Sequence, residues 1–135
     1  MSDKDELGRV PLHYHAFADL TALRRELKEG ADPNATDDND YTPLHFAAQE
    51  GCLEAAEALI AAGAIVDAID VNGNTPLFTA VMNFESDGQL IKLLRRHGAD
   101  PLLKNHADQS PVGLARLIEN YSVAECFADL PTMEE

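Results

Sequence analysis

Apolar residues recur along the chain in short helical patterns separated by polar turns. Over Thr21–Lys28, Leu23 and Leu27 stand four apart while Arg24, Arg25, Glu26 and Lys28 fill the other positions, which predicts a helix with one buried face. Leu53, Ala56, Leu59 and Ile60 pattern a second such helix over residues 53–62, and Leu90, Ile91, Leu93 and Leu94 a third over 89–97. A fourth is expected over Val123–Ala128. Each of these amphipathic segments follows a more uniformly apolar one that opens on proline: Val10-Pro11-Leu12-His13, Thr42-Pro43-Leu44-His45, Thr75-Pro76-Leu77-Phe78 and Ser110-Pro111-Val112-Gly113. Thr or Ser as an N-cap with Pro in the first turn predicts a helix start at each, running to about Glu50 in the second segment and about Asn83 in the third.

Breakers stand between the segments. Gly30-Ala31-Asp32-Pro33 and Gly98-Ala99-Asp100-Pro101 agree almost letter for letter, and Gly51 and Gly63 end the middle helices. Turns are expected at Thr36–Tyr41, at Asp70–Asn74 around an Asn-Gly pair, and at Lys104–Gln109. The signature prolines at 11, 43, 76 and 111 lie 32, 33 and 35 residues apart. Such a period means stacked units that bury their apolar faces on their neighbours. The expectation is one domain over 1–135 with units at about 9–35, 36–68, 69–103 and 104–130, and polar tails at 1–8 and 131–135. Residues 1–8 read as a frayed lead-in, and the charged face of the first unit reads as a cap, so Arg24 and Arg25 receive no functional role.

The heptapeptide Thr42-Pro43-Leu44-His45-Phe46-Ala47-Ala48, its three looser copies and the Gly-Ala-Asp closures resemble the ankyrin repeat over roughly residues 9–130. The resemblance implies an all-α solenoid of four helix-turn-helix repeats with projecting hairpin-like loops, whose fingers and inner helices form a concave, protein-binding surface. It implies no catalytic site and no cofactor. His45 matches the family's structural histidine, replaced by Phe78 and Gly113 in later repeats, and Asp40 stands where the family has a turn glycine. The long Phe84–Gly88 break and the Ala99–Asn105 linker look like those of small stand-alone bacterial ankyrin proteins, some of which act as immunity proteins that neutralise toxins.

Charge narrows the partner class. The net charge is −14, and residues 29–91 hold twelve acids and no Lys or Arg, whereas residues 1–28 hold five of each sign. This balance disfavours nucleic acid and anionic membranes and favours a protein partner with a basic surface patch, with solubility as the alternative use of the charge. No apolar run reaches the ~18 residues of a membrane span, and no leader-like segment opens the sequence. Cys52 and Cys126 read as reduced thiols in a cytoplasmic protein that is monomeric when free.

Catalytic and metal-binding patterns are missing from the sequence. No serine lies in a nucleophile elbow, neither cysteine has a sequence-adjacent base, and His13 and His15 read as structural. Asp37-Asp38-Asn39-Asp40 lacks the glycine and distal carboxylate of a calcium loop. Asp32, Asp37, Asp67, Asp70 and Asp100 fall at turn positions suited to bonding the backbone. The candidate partner-binding residues are Thr36, Asp38, Asn39, Asp40, Tyr41, Gln49, Glu50, Ile69, Val71, Asn74, Met82, Phe84, Glu85 and Asp87. Ile69, Val71 and Met82 are apolar where no core needs them, and Glu50 and Glu85 sit at helix C-terminal ends that disfavour acids. The resulting expectation is a non-enzymatic interaction module, an occluding inhibitor in its sharper form, with a general scaffold or adaptor as the alternative and an enzyme as a remote one.

Overall fold

Each predicted Thr/Ser-Pro start becomes a helix start in the computed structural model, which describes residues 4–84, 88–118 and 121–130. The order is α1 (Pro11–Ala18), α2 (Leu20–Lys28), α3 (Pro43–Glu50), α4 (Leu53–Ala61), α5 (Pro76–Met82), α6 (Gln89–Arg96), α7 (Pro111–Leu117) and α8 (Tyr121–Glu125). The hydroxyls of Thr42, Thr75 and Ser110 accept from the backbone N–H of His45, Phe78 and Gly113 at 3.3, 3.2 and 3.0 Å. Each cap of this kind is worth about 1 kcal/mol. Val10 has no such side chain, and there the Nδ1 of His13 accepts from the Val10 N–H at 3.0 Å.

Inner helices α1, α3, α5 and α7 pack in sequence, and α2, α4 and α6 form a second layer behind them. Leu12, Leu23, Leu44, Leu59, Leu77, Ile91, Leu94, Val112 and Val123 make a continuous buried core between the layers. The all-α, four-repeat solenoid expected from the sequence is the observed architecture, and no strand occurs among the described residues.

The loops that precede the inner helices share one design. Asp37 Oδ1 accepts from the N–H groups of Asn39 and Tyr41, Asp70 Oδ1 from those of Asn72 and Asn74, and Asn105 Oδ1 from those of Ala107 and Gln109. Asp5 Oδ1 does the same for Leu7 and Arg9. This corrects the expectation of a frayed lead-in: Asp5–Arg9 is a fourth finger, because its Asp and Gly8 have the spacing of Asp70 and Gly73. The fingers are joined by one bond per step, from Asp38 N–H to Leu7 O, Val71 N–H to Asn39 O, and His106 N–H to Asn72 O, at 2.9, 3.0 and 3.0 Å. Asp32 and Asp100 accept from the N–H groups two residues on, and Asp67 accepts from the N–H of Asp100 in the next repeat. Five expected structural acids thus bond the backbone.

Histidine supplies a second link between repeats. The Nδ1 of His45 accepts from the Thr42 N–H at 3.1 Å, so Nε2 carries the proton and donates to Asn74 O at 2.8 Å. His13 repeats this one unit earlier, donating from Nε2 to Ala35 O and Tyr41 O at 2.9 and 3.0 Å. Where Phe78 replaces the histidine, the Asn105 amide donates to Asn74 Oδ1 at 2.7 Å instead.

The last helix differs from expectation: it spans Tyr121–Glu125, earlier than Val123–Ala128. Cys126, Phe127 and Ala128 form tight bonds to the residue three before each. Arg95 holds this turn by donating to Cys126 O at 2.8 Å and to both carboxylate oxygens of Asp129 at 2.7 and 2.8 Å.

Asp40 and Asp108 occupy the left-handed region at φ 61° and 67°, where Gly73 of the third finger sits at 79°. Side chains there cost about 1 kcal/mol relative to glycine. A Cβ on Gly73 would stand 2.9 Å from the His106 backbone nitrogen. Asp40→Gly is therefore expected to raise the thermal midpoint by the equivalent of about 0.5–1 kcal/mol, while Gly73→Ala lowers it by at least as much. Differential scanning calorimetry of the two variants checks both signs.

Candidate binding surface

The finger ladder and the inner helices meet at a face whose composition follows from the repeat register. Thr36, Asp38, Asn39 and Asp40 of the second finger are exposed, as are Ile69 and Val71 of the third. On the helices, Met82 is exposed, Gln49 is half-buried, and Glu50 is exposed with an oxygen 3.2 Å from the Gln49 amide. By the repeat register, Thr36 and Ile69, Asp38 and Val71, and Gln49 and Met82 occupy equivalent places in neighbouring repeats.

Three other candidates are occupied by the scaffold. Tyr41 is half-buried, stacked on His45 with centroids 5.6 Å apart and edge-on to Phe46 at 5.4 Å. Burial, with the Asp70 and Asp37 carboxylates behind it, pushes its phenol pKa up. Asn74 receives His45 on its carbonyl and Asn105 on its side-chain oxygen. Phe84 packs against the core cluster. All three are half-buried, as Gln49 is, and each also contacts the scaffold. Glu85 and Asp87 lie outside the described residues.

Counting from each signature proline locates residues that the sequence reading missed. The sixth position after Pro11, Pro43, Pro76 and Pro111 is Phe17, Gln49, Met82 and Leu117. Phe17, Met82 and Leu117 are 37%, 54% and 67% exposed, so an apolar stripe crosses the inner helices and is interrupted at Gln49. The offset from proline was available in the sequence, but it was applied to the two middle repeats alone, giving Gln49 and Met82. Arg9 was also missed. Its Nε lies 3.2 Å from Asp37 Oδ2, and its guanidinium sits 4.7 Å from the centre of the Phe46 ring. With two backbone N–H groups on its other oxygen, the buried Asp37 has its carboxylate filled by protein donors, and a cation is not needed there.

Burial and the neighbouring Glu50 push the Cys52 thiol pKa above its ordinary value, which opposes thiolate formation. Cys52 and Cys126 are not joined in a disulfide. Among the described residues, no group of three or more His, Cys, Asp or Glu is placed to hold a metal ion. No helix among them is long and apolar enough to cross a membrane.

His45 supports the face from below, and its burial lowers its pKa, with the Asn74 carbonyl and the Asp70 and Asp37 carboxylates acting in the opposite sense. The unfolded chain then binds the proton more readily than the folded one. Stability attributable to this ring is complete above the ordinary histidine value of about 6.5 and is lost as pH falls through the lower folded value. Urea unfolding at pH 7 and pH 5 is expected to show a drop in the native protein and a smaller drop in His45→Phe, which copies Phe78.

Comparisons agree with this architecture. The family model for ankyrin repeats matches residues 12–105 in three copies. Serine/threonine-protein kinase 12 of Arabidopsis thaliana is 32% identical over 98% of this chain and 28% of its own length. SH3 and multiple ankyrin repeat domains protein 2 of Homo sapiens is 29% identical over 90% of this chain and 7% of its own. Potassium channel KOR1 of Oryza sativa subsp. japonica is 48% identical over 46% of this chain and 7% of its own. The chain thus spans less than a third of the length of each of these relatives.

Proposed function

The chain belongs to the ankyrin-repeat family, and on that premise we propose that it binds a protein partner through the concave face of its fingers and inner helices. The observation that carries this reading is the exposed Phe17–Met82–Leu117 stripe beside the Ile69 and Val71 wall, five of the exposed large apolar residues brought to one face by the register, while Leu7, Ile65, Leu102 and Leu103 are exposed elsewhere. Solvent-exposed apolar groups aligned by a repeat register supply the desolvated centre of an interface, and the polar finger tips supply its rim.

The partner presents a basic patch. Support comes from the twelve acids and absence of Lys or Arg across residues 29–91. Asp32, Asp37, Asp67, Asp70 and Asp100 are engaged with the backbone. Asp38, Asp40 and Glu50 are exposed acids of the second repeat beside the stripe. In its sharper form the protein is an inhibitor, possessing no catalysis of its own, that covers the anion-binding site of a toxin in a reducing cytoplasm. Location of its gene beside that of a basic, cell-killing protein, with rescue on co-expression, tests this form.

Charge reversal separates binding from folding. A captured partner is expected to bind Asp38→Lys and Glu50→Lys at least about tenfold more weakly and with a shallower salt dependence, at an unchanged thermal midpoint. Unchanged affinity in both variants, measured by calorimetry, would contradict the proposed face.

A further inference from the structure

The pattern along the stripe carries information about the shape of what covers it. Phe17, Gln49, Met82 and Leu117 recur once per repeat on α1, α3, α5 and α7, which pack side by side. Packed helices lie about 8–10 Å apart, so the stripe offers one contact at each such step. Three contacts are apolar, and the second is polar: the Gln49 amide beside the Glu50 carboxylate. Two clefts open next to these contacts. One of 600 Å³ lies beside Phe17, between the end of α1 and the start of α4, and one of 280 Å³ lies beside Gln49, between the end of α3 and the starts of α4 and α6.

A floor built from helices limits the backbone that can lie on it. Interior N–H and C=O groups of α1, α3 and α5 are consumed within the helices, so an extended peptide on the stripe would lose water from its own polar groups without replacement. A helix has no such cost. Seven residues of α-helix advance about 10.5 Å, close to one repeat step, and return to nearly the same face.

Resting on the concave-face reading above, we infer that the partner docks an amphipathic α-helix across α1, α3, α5 and α7, with anchor residues seven apart that are apolar opposite Phe17, Met82 and Leu117 and basic opposite Gln49 and Glu50. The charge of the middle repeats fits this occupant: a Lys or Arg at the second anchor reaches Glu50, and further basic residues on the helix flank face Asp38 and Asp40. Ile69 and Val71 form the wall that receives the side of the helix nearest the fingers. The polar step thereby sets register. A helix slid by one heptad buries its basic anchor against Phe17 or Met82.

The test uses synthetic helical peptides of about 24 residues, long enough to cross the stripe at ~1.5 Å per residue. All have one composition, with three Leu and one Lys at four heptad-spaced anchors. Two place the Lys at an interior anchor, one for each possible direction of the helix, and two place it at an end. Fluorescence anisotropy is expected to show that one or both interior-Lys peptides bind, with end-Lys peptides about tenfold weaker, the scale set by forcing a charge against an apolar contact. Met82→Lys and Leu117→Lys should each weaken the interior-Lys peptides by a similar factor while circular dichroism and the thermal midpoint stay unchanged. Equal binding of all four peptides, binding by none, or insensitivity to both substitutions overturns the helix assignment. A captured natural partner that loses affinity with Asp38→Lys and Val71→Lys while the peptides show no register leaves the concave-face reading standing and the helix assignment refuted. A partner indifferent to all four protein variants refutes both.

Discussion

Everything in this solenoid depends on how one repeat is joined to the next. An isolated helix pair buries too little to fold, so the joints must hold register as well as supply area. Here a carboxylate or carboxamide at the root of each finger gathers two backbone N–H groups, and a single backbone bond passes from each finger tip to its neighbour. Where His13 and His45 are present, the imidazole ties the helix cap on one side to a carbonyl of the following loop on the other. These bonds are short-range and identical in kind. The inner helices are consequently set at a repeating step, and whatever they display is displayed periodically.

That periodicity converts a folding constraint into a surface. The acids at Asp37 and Asp70 cannot serve a partner, because their oxygens hold the fingers together, and Arg9 completes the shell around Asp37. The acids at Asp38, Asp40 and Glu50 are exposed. The same division separates aromatics: Tyr41 and Phe46 are packed with His45 and Arg9, while Phe17 remains partly open on α1. A chain with a large net negative charge thus uses part of that charge internally and leaves another part beside an apolar stripe.

Much of the architecture was legible in the sequence because caps and breakers act locally. Thr42-Pro43, Thr75-Pro76 and Ser110-Pro111 need only their own next turn to start a helix, and Gly51 needs only its own positive φ to stop one. Asp32, Asp37, Asp70 and Asp100 were legible for the same reason, since an Asx turn closes within four residues, whereas Asp67 bonds the Asp100 N–H of the next repeat. The first finger was not recognised, although Asp5 and Gly8 keep the spacing of Asp70 and Gly73, because no Thr-Pro follows and Val10 takes the cap position. The scaffold contacts of Asn74 were not legible, because Asn105 and His45 reach it from other repeats, whereas Tyr41 packs on His45 and Phe46 of the helix that follows it. Helix α8 is another nonlocal case, its following turn being held by Arg95 from about one repeat earlier.

The central claim is that register divides this molecule into a joint that holds and a face that binds. Hydrogen–deuterium exchange of the protein alone and saturated with a captured partner tests it most directly. New protection confined to the second and third finger tips and the C-terminal turns of α1, α3, α5 and α7 is the predicted result. Protection centred on α2, α4 and α6, with the finger tips and inner helices unchanged, would contradict it.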